Sequence, residues 1–145
     1  MTSISFVVPG QPVPYQRVAS RGTQRFTTPK SRAYMGAVRL RSMQAVGQAK
    51  HAGTPWPLDA RYAVEIHVTN GDRRARDLDN VAKNLDGCKD VLWYDDAQID
   101  DLRIVRCEPN KDAAQLVISV HVMACAQLEI ETPAPRLSRQ GARTR

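Results

Sequence analysis

The chain has 145 residues and a formal net charge of +6, with 42% hydrophobic and 25% charged residues. That length suits one domain around a single modest core. No stretch approaches the eighteen or so apolar residues that a membrane-spanning helix requires, and no basic-then-apolar leader opens the chain, so a soluble, cytoplasmic protein with no membrane partner is expected.

Charge is unevenly distributed. Before Asp77, twelve Lys and Arg stand against three acids, Asp59, Glu65 and Asp72; from Asp77 to Asp101, eight aspartates stand against Lys83 and Lys89. A polyanion-binding surface with an acidic pocket set into it has this pattern, because phosphates draw cations and phosphate chemistry draws a metal. A solvated basic protein carrying an acidic surface helix has it too. Cys88, Cys107 and Cys125 are odd in number and widely spaced, with no C-x-x-C pair, and read as reduced and partly buried thiols.

Residues 4–8, with Ile4, Phe6, Val7 and Val8, read as an opening strand stopped by Pro9-Gly10. From Pro12 to Pro29, prolines and Gly22 alternate with Arg17, Arg21 and Arg25, which predicts a cationic surface loop. Pro29 suits the first turn of a helix. Tyr34, Val38, Arg41, Ala45 and Gln48 then recur on one face, so the helix is predicted to run to about Lys50, ahead of Gly53 and Pro55-Trp56-Pro57. Residues 61–69 alternate, Tyr62, Val64, Ile66 and Val68 against Arg61, Glu65 and His67, the pattern of a half-exposed strand.

A helical pattern follows through Leu78, Val81, Leu85, Cys88 and Leu92. Two further strands, 102–107 and 115–122, are joined by a turn at Pro109-Asn110-Lys111-Asp112. The order β-α-β-α-β-β predicts one α+β (mixed α/β) domain over residues 1–124, its mixed sheet flanked by helices on at least one face. Residues 125–145, polar and basic at the end, are expected to form a disordered tail.

The chemistry concentrates in Arg73-Arg74-Ala75-Arg76-Asp77-Leu78-Asp79-Asn80-Val81-Ala82-Lys83, followed twelve residues later by Asp95-Asp96. Asp77 sits where a helix N-cap would, and Asp79 in the first turn, positions that aspartate favours for structural reasons alone. With Asp77 just outside the helix, the two carboxylates can converge, and Asp79 and Lys83, four apart, share a face. As an exposed ion pair these two contribute only a few tenths of a kcal/mol. As chemistry, the ammonium can hold a phosphate or stabilise transition-state charge. The apolar run Val91-Leu92-Trp93-Tyr94 would bring Asp95-Asp96 back to the sheet, and four clustered carboxylates call for a hard cation such as Mg²⁺. His51, His67 and His121 are isolated and suggest no ligand set.

Asp77-Leu78-Asp79-Asn80, Lys83 and Trp93-Tyr94-Asp95-Asp96-Ala97-Gln98-Ile99 together resemble the signature of the RusA family of Holliday junction resolvases. The stretch Asp72-Arg73-Arg74-Ala75-Arg76 and the opening with Gly10, Pro12, Pro14, Gln16-Arg17 and Arg25-Phe26-Thr27-Thr28-Pro29-Lys30 resemble it as well, so the similarity spans residues 4–122. It implies a homodimer acting on four-way junction DNA in recombination and repair, with Mg²⁺, or Mn²⁺ in its place, and no organic cofactor. A phage or prophage origin is a further expectation of this family. The resemblance assigns the metal to Asp77, Asp79 and Asp96, with Asp95 a further candidate, and makes Lys83 catalytic with them. Arg17, Arg25, Lys30, Arg73, Arg74 and Arg76 are the expected DNA contacts. Two other readings are a branched-DNA-binding protein without catalysis and a metal nuclease for another DNA structure. The chain departs from the family pattern in a shortened interval between Lys83 and Asp95, and in Gly87 within the expected helix.

Overall fold

The computed structural model describes residues 2–22 and 24–124, except for the side chains of residues 18–21 and 25. The expected tail from residue 125, Cys125 and the Arg25 side chain lie outside the described residues. Strand β1 (Ser3–Pro9) alternates exposed and buried residues and ends at Gly10, whose φ of 94° is open to glycine and strained for other residues. A two-stranded hairpin follows, β2 (Arg17–Arg21) and β3 (Gln24–Thr27), paired antiparallel with Arg17 opposite Thr27 and Val18 opposite Phe26. The sequence predicts a loop here. Strands this short, with Arg at three positions, carry no alternation to read.

Helix α1 (Pro29–His51) starts with the Thr28 side chain accepting from the Ser31 N–H at 3.0 Å and with Pro29 at its first position. Its buried face is Ser31, Tyr34, Val38, Ser42 and Ala45, so Ser42 takes the inward position expected for Arg41, while Arg41 and Gln48 are exposed. The Ser42 hydroxyl satisfies itself on the Arg39 carbonyl at 2.7 Å, which allows a polar residue there. Strand β4 (Tyr62–Thr69) buries Tyr62, Val64, Ile66 and Val68 as its alternation predicts.

The second predicted helix is correct in its burial, and it ends early, as the glycine within it suggests. Only α2 (Leu78–Ala82) is α-helical; residues Lys83–Cys88 tighten into a 3₁₀ segment. Gly87 lies in this segment, and a Cβ there would come 2.7 Å from the Met35 carbonyl oxygen, so glycine is what lets the segment approach the α1 backbone. Val81, Leu85, Cys88 and Leu92 are nonetheless buried, and burial pushes the Cys88 thiol up to about 12.

Strands β5 (Ile99–Arg106) and β6 (Gln115–Val122) complete a four-stranded sheet of order β1-β6-β4-β5, antiparallel except for the parallel β4–β5 pair. The turn between β5 and β6 therefore does not close a hairpin; β4 lies between them. One sheet face, with Phe6, Val8, Val64, Ile66, Ile118 and Val120, packs under α1 and the α2–3₁₀ unit in a single core. The result is one mixed α/β domain with both helices on one face. Among the described residues, no helix is long and apolar enough to cross a membrane.

Candidate active site

The site begins at the N-terminus of α2. Asp77 has extended backbone there (φ −73°, ψ 115°), and its side chain accepts from the Asp79 N–H at 3.2 Å, as a cap residue does. Its other oxygen accepts from the Asn80 amide at 3.1 Å, and the Asn80 carbonyl oxygen accepts from the Lys83 ammonium at 2.9 Å. Lys83 also lies 3.6 Å from Asp79, whose side chain is 80% exposed. Asp79 is thus free to rotate, whereas Asp77 is held by two hydrogen bonds and Lys83 is aimed by Asn80.

The second limb is the turn at Asp95-Asp96. Asp95 accepts from the Ala97 N–H at 2.8 Å, and the Gln98 side chain reaches back to the Tyr94 and Asp95 N–H groups at 2.8 and 2.9 Å, forming a capping box. The Gln98 amide donates to the carbonyls of Leu58 and Ala60, which fastens the turn to the loop before β4. The structure therefore uses the Asp95 carboxylate as a cap. The Asp96 carboxylate instead accepts from the indole N–H of Trp93 at 2.9 Å. Trp93 is fully buried, with Tyr62 tilted against it at 6.0 Å and Trp56 stacked behind Tyr62 at 5.7 Å, so the core itself aims Asp96.

These limbs meet. Asp79, Lys83, Asp86 and Asp96 line one cavity of about 310 Å³, floored by Ala82, Leu85, Ile99 and Leu102. Asp77 does not line it; its carboxylate faces a neighbouring depression with Lys30, Arg74, Arg76, Tyr15 and Asn80. A third depression, with Tyr15, Arg17, Asn80 and Lys83, adjoins both. The expected DNA contacts Arg17, Lys30, Arg74 and Arg76 thus flank the acidic cavity, while exposed Arg73 lies outside these depressions. Arg76 is the most committed of them, because both its terminal nitrogens bind Asp72, at 2.6 and 3.1 Å. Tyr15 joins the N-terminal loop to α2 through its N–H on the Asn80 carbonyl at 2.8 Å, and hydrogen bonding to Thr27 and then Arg17 lowers its phenol pKa.

As the side chains lie, no three carboxylate, imidazole or thiol groups among the described residues are close enough to enclose one ion. The donor chemistry nevertheless fits a hard cation. Asp79, Asp86 and Asp96 offer only oxygen around one opening; burial, and then the facing Asp96 carboxylate, hold the Asp86 carboxyl above its ordinary value. The exposed Asp79 side chain is free to swing toward them.

In the sequence, Asn80, Trp93 and Gln98 stand in the motif without a role, and Asp86 is part of the acidic run. The spacing Asp95-x-x-Gln98 is a capping-box signature that could have assigned Gln98. Nothing local marks Trp93 as the donor to Asp96. Comparison with known proteins completes the identification. No curated protein matches the chain. The family model described as Endodeoxyribonuclease RusA matches residues 9–121, a span that takes in the hairpin, both limbs of the site and the sheet except for most of β1 and the last residue of β6. The chain belongs to the RusA family of endodeoxyribonucleases.

Proposed function

We propose that the protein is a metal-dependent endonuclease that resolves Holliday junctions by paired symmetric hydrolysis, acting as a homodimer in the cytoplasm during DNA recombination and repair. The observation that carries this is the meeting of Asp79, Lys83 and Asp96, drawn from two separate elements, in one cavity beside a cationic surface. A two-fold dimer presents two such cavities to a two-fold junction, which is what paired nicks need.

In this reading Asp79 and Asp96 hold the cation, with Asp77 completing the set by releasing its cap. When bound, a hard divalent ion such as Mg²⁺, or Mn²⁺ in its place, supplies positive charge to the scissile phosphodiester and the attacking water. Lys83, aimed by Asn80, places its ammonium on the reacting phosphate and offsets the charge that grows there. Arg17, Lys30 and Arg74 hold flanking phosphates, joined by Arg25 and Arg73 as DNA approaches. Arg76, tied to Asp72, shapes the loop and adds less affinity than a free guanidinium.

Cleavage of a synthetic mobile four-way junction with Mg²⁺ tests this, comparing the intact protein with Asp79→Asn and with flap, duplex and single-stranded competitors. Symmetric nicks that vanish in the variant while junction binding persists, with binding that weakens steeply as salt rises, are expected. An intact protein that binds junctions and never cuts them would refute catalysis, and preferential cutting of a flap or single strand would refute the junction as substrate.

A further inference from the structure

We propose that Tyr15 sets the register of the cut strand: its hydroxyl donates to a phosphate flanking the scissile one, in a subsite shared with Arg17 and Lys83. This rests on the DNA-cleaving reading of the proposed function. The subsite is a depression of about 350 Å³ lined by Tyr15, Arg17, Asn80 and Lys83, with no carboxylate in its wall. Lys83 lines the acidic cavity too, so an anion seated here lies one side chain away from Asp79 and Asp96. Tyr15 also lines the second cationic depression, beside Lys30 and Arg74, and so stands between two places that draw phosphates.

The hydroxyl has a proton to give. Tyr15 and Thr27 bring two O–H groups and share one hydrogen bond, at 3.0 Å, so one O–H remains to donate. Arg17 stands directly opposite Thr27 across the hairpin, which puts its side chain on the same face as the threonine hydroxyl. The backbone around Tyr15 is fastened on both sides. Its N–H donates to the Asn80 carbonyl at 2.8 Å, the Gln16 N–H donates to the Ser31 hydroxyl at 2.9 Å, and the Asn84 amide donates to the Val13 carbonyl at 2.7 Å. Residues 13–16 are thereby tied to the start of α1 and to the segments on either side of Lys83, so the phenol keeps its place relative to the ammonium. A guanidinium offers five donors and attracts a phosphate from many approaches, whereas one O–H on a fixed ring accepts a single line. Arg17 thus supplies affinity and Tyr15 supplies register, which seats the next phosphate of the strand against Lys83.

The full-length protein is tested on a four-way junction, by single-turnover cleavage with Mg²⁺ and by binding without a divalent ion, as the parent, Tyr15→Phe, Thr27→Val and Arg17→Gln. A set of junctions carries one methylphosphonate each along the cut strand, which removes a phosphate oxygen and its charge at one position. Tyr15→Phe keeps the ring, should melt close to the parent, and should lose about tenfold in junction affinity, the scale of a hydrogen bond to a charged group. That loss should vanish when the methylphosphonate stands at one phosphate flanking the scissile one and persist at more distant positions, the non-additivity expected of groups in contact. The salt slope should match the parent's in Tyr15→Phe and fall by about one in Arg17→Gln, because only the arginine releases a counter-ion. Thr27→Val should bind nearly as the parent does. Should Tyr15→Phe melt lower, the methylphosphonate pattern still decides, since a loosened fold prefers no one phosphate. Parent affinity in Tyr15→Phe, or a loss that adds to every methylphosphonate alike, would overturn the contact; an equal loss in Thr27→Val would move it to the threonine hydroxyl. A parent that binds with the expected pattern and never cuts would refute catalysis and leave this contact standing.

Discussion

Gly87→Ala tests whether the contact of the 3₁₀ segment with α1 holds the site together. The added Cβ would lie 2.7 Å from the Met35 carbonyl oxygen and 3.3 Å from the Arg39 nitrogen, inside the 3.4 Å at which ordinary contact begins. Both atoms are helix backbone, so relief requires the two segments to part. Overpacking of this kind costs about 1–3 kcal/mol. Replacing glycine by alanine returns about 0.5–1 kcal/mol through the less flexible unfolded chain. The net loss is then roughly 1–2 kcal/mol, which lowers Tm by about 4–10 °C in a domain of this size. Thermal unfolding by circular dichroism measures it. Because the displaced segment carries Lys83 and Asp86, cleavage should fall by more than the lost stability explains when assayed well below Tm. A Tm equal to or above the parent's would refute the packing argument, and lost stability with unchanged cleavage would refute its link to the site.

Two other predictions probe what aims the charged groups. Trp93→Phe removes the N–H that orients Asp96 and should raise the Mg²⁺ concentration for half-maximal cleavage by about tenfold, the scale typical of outer partners of ligands; an unchanged Mg²⁺ dependence would refute the aiming role. For Asp72, the Arg76 guanidinium and then the Arg74 N–H hold the carboxyl down to about 2 from its ordinary 3.8. A lowered folded-state value means that this carboxylate contributes stability in full above the unfolded value and loses it as pH falls from about 4 through 2. Carboxyl NMR should find Asp72 titrating near 2 and returning toward 3.8 in Arg76→Gln; a parent value near 3.8 would refute the pairing.

How much was legible in the sequence depended on how local each cause is. Strand β4 could be read because Tyr62, Val64, Ile66 and Val68 face a core that alternation alone reports. The end of α1 could be read because proline and glycine mark it. Ser42 could not be placed inward, because its hydroxyl is satisfied within its own helix and only the structure shows that bond. Gly87 signals an early end or a distortion in the second helix, but not that the winding turns 3₁₀ from Lys83 onward. The sequence shows Gly87, but what requires it is the backbone of α1 about fifty residues earlier. Likewise the parallel β4–β5 pair depends on the crossover through α2, so the turn after β5 resembles a hairpin and is not one.

The site divides along the same line. Its expected members were named by the family resemblance, and their division of labour was not. Asp77 and Asp95 both occupy cap positions and spend an oxygen on backbone N–H groups, while Asp79 and Asp96, each next but one or next to a cap, project into the cavity. In each limb, then, one aspartate ends a turn and another faces the chemistry. Lys83 stands where the winding changes and touches both the acidic cavity and the cationic depression. A phosphate bridging from Arg17 to the cavity must pass its ammonium. That position joins the cationic depression to the acidic cavity through one side chain, which is what the proposed function asks of Lys83 beyond the small worth of its exposed pair with Asp79.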